Sequence, residues 1–83
     1  MGTRGGMAKD QILAQRIGDR ILQERRRRGL TQEVLAGLSG IHRNVLIKAE
    51  KGQRISLFSL VRIAESLNVG VEVFLSDAHL VGH

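Results

Sequence analysis

Cationic side chains are the most frequent chemically active groups in this sequence. Its 83 residues include 13 Lys and Arg against 8 Asp and Glu, a formal net charge of +5. Four of the cations are consecutive, Arg25 to Arg28. Such a balance favours a polyanionic partner, of which nucleic acid is the commonest, although an anionic membrane would also attract it. The arginine run by itself is also typical of a solvated helix end.

Residue types that perform catalysis or bind metals are few and scattered. The chain has no cysteine, which excludes a disulfide framework and a thiolate metal site. Its histidines, His42, His79 and His83, show no metal-ligand spacing with one another or with the acids. No nucleophile, general base or phosphate-binding loop is recognisable. We therefore expect no enzyme activity, no cofactor and no metal.

The length allows one domain with one small core. We expect a flexible Gly-rich leader at 1–8, one domain at 9–76 and a loose tail at 77–83. The leader lacks the apolar stretch of a signal peptide, and no later apolar run could span a membrane. A cytoplasmic protein with no membrane partner is expected. Phe58 and Phe74, the only aromatic residues, are too few for an RNA-binding platform that stacks bases.

Apolar spacing, cap residues and glycines predict four helices. In the last of them, Leu60, Ile63, Ala64 and Leu67 recur at the 3-4 spacing of a buried helix face. Polar N-cap residues and glycines mark the helix ends. Asp10 is predicted to cap a first helix that runs to about Arg28, and Thr31 to cap a second helix that Ser39-Gly40 ends. A third helix is predicted from about Arg43 to Lys51, and Ser56 should cap a fourth from about Leu57 to Leu67.

The hydrophobic period changes to two after Asn68, which predicts a single β-strand at 69–75. A lone strand leaves its backbone polar groups unpaired, and pairing with the strand of a second copy would satisfy them. The alternatives are a frayed extension, or a segment that folds back on its own protomer. The residues expected at a homodimer interface are Val69, Val71, Val73 and Leu75.

The second and third helices are short and are joined by Ser39-Gly40-Ile41, which is the helix-turn-helix signature. Ala36 is small enough to lie where the two helices cross, and Ile41 could fill the corner between them. The sequence shows no internal repeat, and we expect no second domain within it.

Residues 17–67 resemble the Cro/CI-type (XRE) repressor family. The resemblance implies an all-α, lambda-repressor-like helix-turn-helix domain of four to five helices, here with one C-terminal β-strand. It also implies a sequence-specific DNA-binding transcriptional regulator, a repressor that binds a pseudo-palindromic operator as a homodimer. The matching residues are Ile17-Gly18, Ile21, Arg25, Gly29-Leu30-Thr31-Gln32-Glu33, Leu35-Ala36, Gly40-Ile41, Glu50-Lys51-Gly52 and the helix with Leu60, Ala64 and Leu67.

The resemblance assigns the third helix to the major groove as the recognition helix. Its base-contact candidates are Arg43, Asn44 and Lys48, and their chemistry agrees, since Arg and Lys suit guanine and Asn suits adenine. Arg25 and Glu50 correspond to a partly buried ion pair of the family. The implied contacts to the DNA backbone are Thr31, Gln32, Arg28, His42, Lys51, Gln53 and Arg54.

The sequence also departs from the family pattern. Ile55 replaces the usual proline, Gly37 lies inside the second helix, and His42 takes the position of a Ser or Thr cap. Val45 and Ile47 are apolar, although the outer face of a recognition helix is expected to be polar and exposed to solvent. They could touch thymine methyl groups or face a protein.

The predicted C-terminal strand resembles that of the HipB-type antitoxins, in which the strands of two protomers pair. Such proteins repress their own operon and bind a toxin. An antitoxin with a protein toxin as partner is therefore the alternative function. A structural adaptor that has lost DNA binding is a third reading, which salt-dependent binding to duplex DNA would distinguish from the other two.

Overall fold

The computed structural model describes residues 9–75, which form five helices. The predicted all-helical architecture is confirmed, while the predicted leader at 1–8 and tail at 77–83 lie outside the described residues. The helices are α1 (Lys9–Arg27), α2 (Gln32–Ser39), α3 (Arg43–Glu50), α4 (Leu57–Leu67) and α5 (Glu72–Leu75).

Local signals set the ends of α2 and α4 as the sequence predicts. The Thr31 hydroxyl accepts a hydrogen bond from the Val34 amide at 3.1 Å, and the Ser56 hydroxyl accepts one from the Ser59 amide at 3.1 Å. These side chains satisfy amides that have no partner within the helix. Gly40 ends α2 in the left-handed conformation, with a φ of 67°.

One hydrophobic core joins all five helices. The predicted buried face of α4 is correct, because Leu60, Ile63, Ala64 and Leu67 are all buried. In α2 the core contacts come from Leu35 and Ala36, whereas the other two apolar residues of this helix, Val34 and Leu38, are 48% and 63% exposed. The fully buried large side chains are Ile21, Leu35, Leu46, Ile63, Leu67 and Phe74.

The predicted β-strand at 69–75 is wrong. Residues 72–75 form the short helix α5, and residues 9–75 contain no strand. The amides of Val73 and Phe74 each donate to a carbonyl three residues earlier, at 3.0 Å. Backbone groups that a lone strand would leave unpaired are thus satisfied locally.

The side chains of this segment turn toward their own core. Phe74 is 1% exposed, and the three valines expected at a strand interface, Val69, Val71 and Val73, pack against the core. Leu75, the fourth of the expected interface residues, remains 44% exposed. The segment therefore folds back on its own protomer, so strand pairing cannot join two copies here.

No helix within residues 9–75 is both long enough and apolar enough to cross a membrane.

Candidate nucleic-acid interface

The turn between α2 and α3 is held by backbone bonds and one apolar side chain. The amide of Ile41 donates to the carbonyl of Ala36 at 3.1 Å, and the Ile41 side chain packs against the core. Ala36 is 3% exposed at the crossing, where a larger side chain would separate the helices. The two helices are therefore fixed relative to each other, as a helix-turn-helix requires.

Helix α3 has a buried face and an exposed one. Leu46 and Ala49 are buried, with 0% and 2% exposure. Since successive residues turn by about 100° around an α-helix, Asn44 and Lys48 lie almost opposite these two. Both are exposed, as is Arg43 in the first turn. The three residues that the sequence assigns to bases thus stand on the accessible side of α3.

The two apolar departures from the family pattern, Val45 and Ile47, lie on the flanks of α3. Both are partly buried. Contact of these side chains with thymine methyl groups or with a protein stays a prediction.

His42 is the N-cap of α3. Its Nδ1 accepts a hydrogen bond from the Asn44 amide at 3.0 Å. The histidine therefore performs the capping function of the Ser or Thr that it replaces. The bond also requires that Nδ1 carry no proton, since only the unprotonated nitrogen can accept.

Glu50, the last residue of α3, joins three parts of the domain. Its Oε2 accepts from Arg25 Nε at 2.6 Å, and its Oε1 accepts from Arg25 Nη2 at 3.0 Å. The same Oε1 accepts from Gln32 Nε2 at 2.9 Å. Arg25 also donates to the Leu30 carbonyl at 2.7 Å. The pair is well shielded, with side-chain exposures of 12% for Arg25 and 5% for Glu50.

The comparisons with known proteins agree with this geometry. Residues 21–74 match a family model described as helix-turn-helix. The chain belongs to the Cro/CI-type (XRE) helix-turn-helix family. It is a DNA-binding transcriptional regulator.

A solved structure shares the fold of this regulator. It is the restriction-modification controller protein C.AhdI from Aeromonas hydrophila, with a TM-score of 0.70 and 34% sequence identity. The match covers 74% of this chain and 94% of the controller protein. No curated protein is significantly similar to this chain.

The N-terminus of α2 is the other half of the regulator's candidate interface. Thr31 caps it, and Gln32 is its first residue. The first amides of a helix point outward and carry a partial positive charge, which suits a phosphate oxygen. Gln32 is partly exposed while its amide nitrogen contacts Glu50, so one side chain lies between the ion pair and the surface.

Glu24 forms a second ionic cluster, which sequence reasoning missed. Its carboxylate lies 3.3, 3.1 and 2.6 Å from Arg20, Arg27 and Arg28, and its side chain is 5% exposed. The hydrogen bond from Arg28 lowers the pKa of Glu24 most, and it outweighs burial, which raises that pKa. The available signal was the spacing, since partners three or four residues apart meet on one helix face.

Arg28, an expected backbone contact, is therefore already engaged. Its Nη1 donates to the Glu24 carboxylate at 2.6 Å and to the Glu24 carbonyl at 3.0 Å. To contact a DNA phosphate, the Arg28 guanidinium would either keep its bonds to Glu24 or exchange them for bonds to the phosphate.

The segment after α3 carries three further expected contacts, and all are exposed. Lys51 is the C-cap that follows α3, and the Gln53 amide donates to the Lys48 carbonyl at 3.0 Å. Arg54 lies 3.2 Å from Asp10 of α1 in a solvent-exposed ion pair, which contributes little stability.

Within residues 9–75, no cluster of three or more His, Cys, Asp or Glu could hold a metal ion.

Proposed function

We propose that this regulator is a repressor that binds a pseudo-palindromic duplex DNA site as a homodimer, in the cytoplasm. The observation that carries the proposal is the exposed face of α3, where Asn44 and Lys48 stand opposite the buried face. Half-sites one helical turn apart, about 10 base pairs, suit two such helices related by a two-fold axis.

Charge along the candidate interface supports a DNA ligand. Residues 43–54 include four cations and one carboxylate, Glu50. Arg25 pairs with that carboxylate through two hydrogen bonds, so it contributes little net negative charge to the surface. The four cations are Arg43, Lys48, Lys51 and Arg54.

We assign base readout to Arg43, Asn44 and Lys48. Selection of binding sites from a random duplex pool tests DNA binding, symmetry and half-site spacing together. Each alanine variant should then lose preference at its own base pair, at a cost of about 1–3 kcal/mol. Lys9→Ala, at the exposed start of α1, is the charge-matched control for Lys48→Ala. Unchanged base preference in all three variants would contradict the assignment.

The backbone contacts have a different signature. Loss of a lysine or arginine that touches a phosphate should weaken binding equally for all sequences and reduce the salt slope by about one. Loss of a neutral contact should weaken binding with little change in slope. We propose the first behaviour for Arg28, Lys51 and Arg54, and the second for the neutral contacts Thr31, Gln32, His42 and Gln53.

The homodimer needs an interface other than the strand. Leu57 and Phe58, in the first turn of α4, are 68% and 81% exposed, the two most exposed large apolar side chains of residues 9–75. A standard interface covers about 800 Å² on each partner, with aromatic residues enriched at its centre. We propose that a second copy covers this pair as the apolar centre, with polar neighbours supplying the remaining area.

The antitoxin alternative rested on the predicted strand at 69–75 and on the apolar Val45 and Ile47. No strand forms at 69–75, where residues 72–75 are helical, so only the two apolar side chains of α3 still favour it. The similarity to a restriction-modification controller protein supports instead the control of restriction-modification genes as the more specific role. Matches of the selected binding site to the DNA upstream of such genes would test this, and matches only elsewhere would contradict it.

A further inference from the structure

The carboxylate of Glu50 contacts two residues with different expected roles. Arg25 is its partner in the ion pair, whereas Gln32 is the proposed phosphate contact at the start of α2. The ion pair with Arg25 is complete without Gln32, because the arginine already donates one hydrogen bond to each carboxylate oxygen. The third bond, from Gln32 Nε2 at 2.9 Å, therefore requires a separate explanation.

A carboxylate fixes the orientation of the amide that it contacts. Ionised Glu50 can only accept hydrogen bonds, so the nitrogen of the Gln32 amide, and not its oxygen, must face it. The amide nitrogen has two hydrogens, and the second remains for another acceptor. The last torsion of a free glutamine is broad, and binding a phosphate would have to restrict it at an entropic cost. Glu50 imposes that restriction before DNA arrives.

Arg25 makes this arrangement compatible with a phosphate. A shielded carboxylate one side chain away from the DNA backbone would repel it if it were unpaired. The two bonds from Arg25, at 2.6 and 3.0 Å, balance the charge of Glu50. The carboxylate thus remains an acceptor for Gln32 without adding net negative charge beside the proposed phosphate site.

We infer that Glu50 is a positioning residue for DNA binding, which orients the Gln32 amide toward a phosphate and fixes that contact relative to α3. The inference rests on the proposed phosphate contact of Gln32. It links the backbone contact of α2 with the base contacts of α3, since Glu50 is the last residue of the recognition helix.

A double-mutant cycle tests the inference. The dissociation constant for the selected duplex is measured for the full chain, Gln32→Ala, Glu50→Gln and the double variant. Each single variant should bind more weakly, and the double variant should bind about three- to tenfold more tightly than the product of the two single effects predicts. Base preference should stay unchanged in all four proteins, because the contact proposed for Gln32 is to a phosphate and not to a base.

A control cycle replaces Glu50→Gln with Glu65→Gln. Glu65 is exposed on α4, and its replacement changes the net charge by the same amount. Glu65→Gln and Gln32→Ala should act independently, so their fold-changes in the dissociation constant should multiply in the double variant. If the effects of Glu50→Gln and Gln32→Ala also multiply, or if Gln32→Ala binds as tightly as the parent chain, the inference is overturned.

Circular dichroism and urea unfolding of each variant separate positioning from loss of fold. The coupling free energy between Gln32 and Glu50 should be larger when measured from DNA binding than when measured from unfolding. Equal values would mean that the bond between these two side chains only stabilises the fold, which overturns the inference. Should Glu50→Gln not fold, Glu50→Asp replaces it in the same cycle, because it keeps the charge for Arg25 but withdraws the carboxylate by one methylene. Failure of the parent chain to bind any duplex would instead overturn the proposed function.

Discussion

The carbonyl oxygen of Ala49 in α3 lies where a Cβ atom would stand at position 18 of α1, so Gly18 lets the two helices touch backbone to backbone. Gly52, just after α3, also lies close to α1, since a Cβ there would stand 2.8 Å from Gln15 Cγ and 3.2 Å from Gln15 Cα, and its φ is +87°. The orientation of the recognition helix is therefore set by α1 at two points where a side chain cannot fit.

Gly18→Ala should destabilise the domain and weaken DNA binding together. The new methyl group must displace a backbone carbonyl, which cannot rotate away as a side chain could. We expect a loss of about 1–3 kcal/mol in the free energy of unfolding, measured by urea denaturation. The dissociation constant for the selected duplex should rise even at temperatures where the variant is fully folded. Unchanged stability would show that α1 and α3 can separate without cost.

Gly37→Ala is the matched control and should have the opposite effect. Gly37 lies inside α2, and apart from its chain neighbours and the backbone of its own helix no atom is within 4 Å of the position that a Cβ would take. Alanine is a better helix former than glycine by about 0.8–1.0 kcal/mol, so the thermal midpoint should rise. A lower midpoint would mean that an unrecognised contact requires glycine there.

Glu24 should stabilise the fold at neutral pH and lose this effect in acid. Its three arginine neighbours hold its folded-state pKa below the value in the unfolded chain. Such a group stabilises the fold above its ordinary pKa of 4.5 and loses this effect as the pH falls through the lower folded-state pKa. The stability advantage of the parent chain over Glu24→Gln should therefore be present at pH 7 and shrink below pH of about 4. An advantage that stays constant into strong acid would refute this account.

Substitution of His42 separates its capping function from its expected contact with the DNA backbone. His42→Ser keeps an acceptor for the Asn44 amide, whereas His42→Ala removes it. Alanine should cost about 1 kcal/mol of unfolding free energy, and serine should be nearly neutral. If the ring also contacts a phosphate, His42→Ser will bind duplex DNA more weakly at unchanged stability. Equal binding by the serine variant and the parent chain would limit His42 to the cap.

Phe58→Ser combined with Leu57→Ser should convert the proposed dimer to a monomer. Both side chains are largely exposed, so the fold should lose little when they become polar. Sedimentation equilibrium over a range of concentrations measures the change, and Leu38→Ser, at another exposed apolar residue, is the control. A double variant that dimerises as well as the parent chain would rule out this surface.

Much of the fold could be predicted because its signals are local. Thr31, Ser56 and Gly40 mark helix ends through bonds that span three or four residues, and the apolar spacing of α4 specifies its buried face. The exposure of Val34 and Leu38 could not be predicted in this way. Within a two-turn helix, the apolar residues alone do not say which of them face the other helices.

The ionic groups illustrate the same limit. Only the family resemblance predicts the pairing of Arg25 with Glu50, and nothing in the sequence indicates that Gln32 shares the carboxylate. Residues 25, 32 and 50 meet because α1, α2 and α3 pack together, which no spacing along the chain encodes. Glu24 was overlooked, although its arginine partners lie on the same helix.

By itself, the sequence determined a basic, all-helical domain with a helix-turn-helix at 31–52, because caps, glycines and apolar periods act over one or two helical turns. Tertiary structure alone decided the conformation of residues 69–75. Their alternating pattern suits a strand, but a strand needs a partner, while a helical turn satisfies its own backbone and places Phe74 in the core. Tertiary structure likewise decided the contact between Gly18 and Ala49, because the direction of α3 depends on how closely two distant backbones can approach.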